Sequence, residues 1–387
     1  MWLAVTATAA RAQTLVYLVS YTNTPANFRA RFPNGIFGTT PEQRVAMTRQ
    51  TLKNEIWSVS VHDGKRTLLF SDEGMGFEIS PAIGGYAVDS TRNVAYVKAV
   101  ERAWETPPKR ATPGVYETPK GVYEIALDGS RRFRRLFDAR ENMNALMVNR
   151  AGTRLAFGAY ENPGVYNLYV YELPSAKLIA KTDITKELQT RCAGCLPQES
   201  GWLADGKRIF LTLEEGDDDA DDAPTTVLIP GVYLFSEDGK DLGSLPMHAG
   251  EMNLPEYKRQ PSIAPYLIAQ ATDGTFLFRD FGQKKGPPPR PPIVLDTVLV
   301  FTGADFAPQK QLPLAKRGCS GFAFAPDSKF LTFVEDRQLP TYKTERHIWA
   351  KNLQTGEEKE LFVVPPPNPP NSPTPNQNAV ILGWLEK

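Results

Sequence analysis

Cys192-Ala193-Gly194-Cys195 carries the sharpest chemical spacing in this chain of 387 residues. Two thiols separated by two residues can close a disulfide, supply half of a metal site or act as a redox pair. Attachment of haem needs a histidine directly after the second cysteine, and Leu196 stands there. A redox pair of the thioredoxin kind needs its first cysteine at a helix start, whereas the neighbouring sequence reads as strands and loops. A zinc site needs two further ligands, and none shows suitable local spacing. A small structural disulfide between Cys192 and Cys195 is therefore the favoured reading, with no metal and no cofactor expected. Cys319 falls in an apolar strand pattern and reads as a buried thiol.

Acid-base chemistry needs convergent groups, and the sequence offers three histidines, His62, His248 and His347. His62 lies in a hairpin turn, and no spacing ties His248 or His347 to a nucleophile or a carboxylate. Glu214 to Asp222 is an acidic run without EF-hand spacing and reads as a solvated loop. Arg131, Arg132, Arg134 and Arg135 suit a strand edge protected by charge. Aromatic and basic residues interleave elsewhere: Arg31 and Phe32, then Trp104 and Tyr116, then Tyr342 beside His347. Exposed rings supply stacking and charges fix orientation, so these residues, with His248, form the expected contact set for a protein, peptide or sugar ligand. Pro-rich stretches at Gly286 to Pro292 and Pro365 to Pro375 read as extended spacers.

Composition narrows the partners. Lys plus Arg and Asp plus Glu each number 44, so no global field favours nucleic acid or an anionic membrane. No apolar run approaches the roughly 20 residues that cross a bilayer. Residues 1–12 are short, small and apolar, and Ala10-Arg11-Ala12 before Gln13 has a small-x-small cleavage pattern. That predicts a signal-peptide remnant, and export to a periplasmic or extracellular compartment, ahead of a single domain over 13–387.

The elements that must position these residues repeat. Gly201-Trp202-Leu203-Ala204-Asp205-Gly206-Lys207-Arg208-Ile209-Phe210-Leu211 joins two apolar stretches through a tight turn. Its first half reappears as Gly383-Trp384-Leu385, and its second as Gln13-Thr14-Leu15-Val16. A repeat cut this way predicts that the two ends of the chain pair and close a ring. Comparable turns stand at 89–93, 149–153, 272–274 and 326–329, each before a β-branched or aromatic run. A third strand follows in each unit, opening near Trp57, Tyr123, Tyr169, Tyr233, Leu299 and Trp349, and a second turn leads to an outer strand mixing charge with apolar residues. Four strands per unit, six times over, predict an all-β fold, a six-bladed β-propeller of four-stranded antiparallel blades. A short helix has room only within Pro41 to Lys53.

This pattern, above all the D-G-K-R turn between apolar strands, resembles the TolB-like, WD40-like repeat of exported bacterial propellers. It is also similar to the propeller domain of prolyl oligopeptidases, in which a separate α/β-hydrolase domain supplies the chemistry. No such domain is expected here, because Gly318-Cys319-Ser320-Gly321 lacks the G-x-S-x-G spacing.

Loop lengths predict where binding occurs. In a propeller the connections from second to third strand, and from each blade to the next, emerge on one face. Tyr21 to Asn54, Glu101 to Lys120, Glu214 to Pro230, Asp280 to Asp296 and Glu335 to Arg346 all fall there, as do Asp183 to Ser200, Pro246 to Ala264 and Pro365 to Asn378. A binding or interaction module using this long-loop face is the expected function. The alternatives are a propeller lyase or hydrolase, with His248 and His347 at the channel mouth, and a noncatalytic relative of the peptidase propellers.

Overall fold

Apolar residues fill Gln13–Thr22 and the C-terminal strand Asn376–Glu386 so densely that neither strand could stay in water alone. They pair antiparallel, with Leu15 opposite Trp384 and Tyr17 opposite Ile381. Thr51–Ser60 and Arg66–Ser71 complete this first sheet, whose innermost strand comes from the end of the chain. Joining such distant segments costs on the order of 5 kcal/mol of loop entropy. Burial of Ile381, Leu382, Trp384 and Leu385, at about 1.5–3 kcal/mol for each large side chain, offsets it.

The computed structural model describes residues 13–22 and 51–386, apart from 76, 81–84, 102–109, 113–114, 117–119, 141, 163–164, 186–195, 215–231, 246–253, 255–256, 260–265, 272, 285–294, 304–307, 315–318, 326, 341–343, 367 and 369–373. Five further sheets follow the first. Blade 2 runs outward from Tyr86–Asp89 through Val94–Glu101 and Lys120–Ala126 to Phe133–Asp138, and blade 3 from Asn142–Val148 through Arg154–Asn162 and Val165–Glu172 to Lys177–Asp183. Blade 4 comprises Leu196–Trp202, Arg208–Glu214, Val232–Ser236 and Asp241–Leu245. Blade 5 comprises Tyr266–Gln270, Phe276–Lys284, Leu295–Thr302 and Pro308–Pro313; blade 6 comprises Cys319–Phe324, Phe330–Gln338, Thr344–Asn352 and Glu358–Val364. Each inner strand contacts those of the blades before and after it, and the circuit closes between blades 6 and 1. The fold is a six-bladed β-propeller closed by both ends of the chain.

The core is correspondingly divided. Six apolar clusters lie one at each seam between neighbouring blades, for example Val16, Ile56, Phe77 and Val97 between blades 1 and 2. Both faces of a blade are therefore buried, which is why its middle strands read as nearly continuous apolar runs. The outer strands alternate instead, leaving Leu68, Phe133, Leu178 and Val363 exposed beside charged neighbours.

Several local expectations change. Phe330–Gln338 and Thr344–Asn352 stay paired as far as Gln338 opposite Thr344, so Glu335 to Arg346 is mostly ladder rather than a long insertion. Strand also extends over Thr51 to Lys53, at the end of the window expected to have room for a helix. In blades 2 and 5 the inner position is shared with a second short strand, Phe77–Ile79 and Tyr257–Arg259 respectively. A two-stranded hairpin, Arg110–Thr112 with Val115–Tyr116, lies inside the insertion of blade 2.

Candidate functional site

The inner strands end at the tight-turn face, and there the repeat builds a ring. Val88, Val148, Trp202, Gln270, Phe324 and Trp384 occupy one equivalent position in the six blades, each facing the first residues of the next strand across its hairpin. They surround a cavity of about 290 Å3 at the channel mouth. The position beyond them is taken by Asp89, Asn149, Leu203, Ala271 and Ala325, and Ser90, Arg150 and Ala204 form part of the rim.

Why these side chains reach the axis is visible in the ladder. In blades 1, 3, 4, 5 and 6 the register shifts within the inner strand, shortly before the ring residue. An extra residue on one strand bends it and re-aims the side chains that follow. Gly383 shows how close the strands come. Its φ is +149°, and a Cβ there would stand 3.2 Å from Cβ of Val88 in the next blade.

The ring residues also lock neighbouring blades together. Trp202 Nε1 donates to the carbonyl of Met147 in blade 3 at 3.2 Å, and Trp384 Nε1 donates to that of Ala323 in blade 6 at 3.1 Å. Each indole thus reaches back one blade by the same bond. Gln270 does likewise in reverse polarity, its Oε1 accepting from Ala204 N at 3.0 Å. With their polar ends engaged, the indoles present apolar surface to the cavity; Trp202 and Phe324 are half-buried, and Trp384 is buried.

The electrostatics of this mouth are uneven. Asp89 is 2% exposed, and its Oδ1 accepts from Thr91 N at 3.0 Å, Thr91 Oγ1 at 2.6 Å and Arg92 N at 3.1 Å. Its Oδ2 is buried without a hydrogen-bond partner. The guanidinium of Arg92 is engaged elsewhere, with Tyr96 at 2.6 Å and Glu124 at 2.9 Å. Burial pushes the Tyr96 hydroxyl up. Burial also raises Glu124, but hydrogen bonds and charge from Arg134 and Arg92 outweigh it and hold that carboxyl low. Arg150 stands exposed at the rim.

Arg31, Phe32, Trp104, His248 and Tyr342, with Cys192 and Cys195, lie outside the described residues, and Tyr116 is described only as backbone of the short hairpin. His347 sits on the third strand of blade 6, 4% exposed, with Nδ1 2.8 Å from Glu360 Oε2 and Nε2 3.4 Å from Glu345 Oε2. Glu335, which faces His347 across the ladder, accepts from Trp349 Nε1 at 2.9 Å and Arg337 at 3.0 Å. Among the described residues no group of three or more metal-ligating side chains converges. Cys319 is fully buried at the start of an inner strand. The arginines of the blade 2 edge are committed to neighbours: Arg131 reaches the carbonyls of Ser71 and Glu73, and Arg134 clasps Glu124 while donating to the carbonyl of Pro174.

The mouth itself escaped sequence reasoning. Its signal was the repeat of Gly-Trp-Leu at 201–203 and 383–385, which marked ring closure without revealing that both indoles border one cavity.

No protein-family model and no curated protein matches this sequence. Solved structures give fold likenesses. TolB from Acinetobacter baumannii is 11% identical with a TM-score of 0.45, over 95% of this chain and 66% of that one, just under two thirds of its length. A putative TolB from Agrobacterium tumefaciens is 10% identical with a TM-score of 0.43, over 95% and 98%. A prolyl endopeptidase structure is 11% identical with a TM-score of 0.45, over 80% of this chain and 46% of that one. The six-bladed propeller rests on the strand order and the ring of inner strands in this chain, and these likenesses reach no further than the fold.

Proposed function

We propose that this protein is an exported propeller that binds a protein or peptide segment, with the channel mouth on the tight-turn face as its binding site. The observation that supports this is the ring of Trp202, Phe324, Trp384, Val88 and Val148 around a cavity of about 290 Å3. Apolar surface from the indoles, Phe324 and the valines, interleaved with polar groups such as Asn149, Gln270 and Arg150, favours insertion of an apolar side chain that also carries a polar group. The scaffold is rigid there, because the indoles are bonded across blade seams. Export rests on the Ala10-Arg11-Ala12 pattern. The long-loop face is proposed as a second contact surface on the strength of its loop lengths.

A pull-down from the extracytoplasmic fraction separates the two faces. Trp202→Ala should abolish capture if the mouth binds, whereas a Trp104→Ala, Tyr342→Ala double variant should abolish it if the long loops bind. Capture unchanged by Trp202→Ala, in a protein that melts normally, rules out the mouth as the principal site.

A further inference from the structure

We propose that the mouth selects a primary ammonium group, as carried by a peptide N-terminus or a lysine side chain, and that Asp89 recognises it. This rests on the reading of the mouth as a binding site. The argument comes from comparing blades 2 and 3 at one repeat position.

Asn149 is the equivalent of Asp89 in blade 3. Its Oδ1 accepts from the amides of Thr153 and Arg154 at 2.9 and 3.0 Å, and its Nδ2 donates to Gly206 O at 3.2 Å, in the hairpin of the next blade. Gly152 occupies the place of Gly206 in the hairpin facing Asp89. A Cβ on Gly152 would stand 2.4 Å from Asp89 Oδ2, so this oxygen is aimed at the same part of the next blade as the Asn149 amide. An amide nitrogen at 89 could use that neighbourhood as Asn149 does. The carboxylate oxygen finds no donor there. A buried acceptor without a donor costs about 1–3 kcal/mol, so the fold does better with asparagine at this position.

Asp89 belongs to the cavity lining. Oδ2 lies against Gly152, on the edge of the blade 3 hairpin whose Asn149 and Arg150 also line the cavity. A donor entering the mouth displaces that edge to reach the oxygen. A cation is the complementary donor, because it offsets the buried negative charge as well as the missing hydrogen bond. The aromatic ring suits the same ligand: an ammonium attached to an apolar body places its stem against Trp202 and Phe324. Arg92, the nearest cation on the same hairpin, is held by Tyr96 and Glu124. Arg150, exposed at the rim, is the like charge that such a ligand must pass.

Binding of n-hexylammonium, n-hexanol and n-hexanoate, followed by tryptophan fluorescence, tests this. Hexylammonium should bind about tenfold more tightly than hexanol. Asp89→Asn, which the Asn149 precedent shows the repeat accommodates, should remove that advantage and leave hexanol unchanged. Equal binding of hexylammonium and hexanol, or an ammonium preference that survives Asp89→Asn, overturns the assignment while leaving the mouth as a site. If none of the three probes perturbs fluorescence, the mouth reading itself fails. Two short peptide amides identify the source, one with a free leucine N-terminus and no lysine, the other acetylated with one lysine. Whichever loses affinity in Asp89→Asn carries the recognised amine, and loss in neither overturns the proposal.

Discussion

Two buried aspartates at neighbouring seams meet opposite circumstances. Asp72, at the seam of blades 1 and 2, is fully buried and surrounded by donors: Asn54 N at 2.7 Å, Asn54 Nδ2 at 2.8 Å and Ile79 N at 3.0 Å. Asn54 is completed in turn by Ser20 Oγ at 2.7 Å and by the carbonyl of Ile79 at 3.0 Å. Asp89, at the seam of blades 2 and 3, has one oxygen capped by its own hairpin and the other without a partner. A carboxylate whose acceptors are filled by the fold is a fastener, because removing it strands several donors at once. One left partly empty holds its own hairpin through Oδ1 and leaves Oδ2 for a ligand to satisfy.

The comparison can be broken most severely by opening the ring in which both seams exist. Deleting residues 376–387 removes the inner strand of blade 1 and should abolish cooperative unfolding, with aggregation during purification. A truncated protein melting like the full chain would contradict the closed fold. Next, Asp72→Ala should cost about 3–5 kcal/mol, because buried amides of Asn54 and Ile79 lose their acceptor. Denaturant unfolding measures this, and a loss below about 1 kcal/mol would mean that the network is redundant.

A reciprocal exchange sharpens the contrast. Asn149→Asp places a carboxylate oxygen against the Gly206 carbonyl and should destabilise by about 1–3 kcal/mol, while Asp89→Asn should stabilise by about 1 kcal/mol. Both changes moving stability in the same direction would show that the two positions are not equivalent.

The smallest effect concerns pH. Burial pushes the Glu55 carboxyl up, but hydrogen bonds from Lys53, Trp57 and Tyr21 outweigh it and hold the group below the ordinary carboxylate value. Tyr21 is correspondingly pushed up to about 12, by burial and by the Glu55 charge. A depressed acid stabilises fully above its unfolded value, and that contribution disappears as pH falls through the folded one. Glu55→Gln should therefore melt below wild type at neutral pH, with the gap narrowing as pH falls below the ordinary carboxylate range. A constant gap would assign the role of Glu55 to packing.

Much of this architecture was legible because propeller blades are local. Tight hairpins with Asp, Gly and Asn, followed by apolar strands, announce themselves within a few residues, and the split Gly-Trp-Leu repeat indicated that Leu15 meets Trp384. The candidate site was less legible. Aromatics expected in long loops drew attention to Trp104 and Tyr342, which lie outside the described residues, whereas the cavity is lined by inner-strand ends and hairpin residues whose pattern is that of every blade. His347 appeared as a loop-side candidate near a channel mouth, but the ladder continuing to Gln338 and Thr344 puts it inside a third strand, between glutamates.

Sequence alone determined the number of blades, their four-strand plan and the joining of the two ends, since each follows from hairpin chemistry and a period. The tertiary structure decided which side chains surround the axis, because that depends on register shifts in the inner strands and on how closely six blades approach one another. It also decided that Asn149 is satisfied and Asp89 is not. Two polar residues at one repeat position meet the same glycine-bearing hairpin of the next blade, which suits an amide nitrogen and not a carboxylate oxygen, and that hairpin is in place only once the ring has closed.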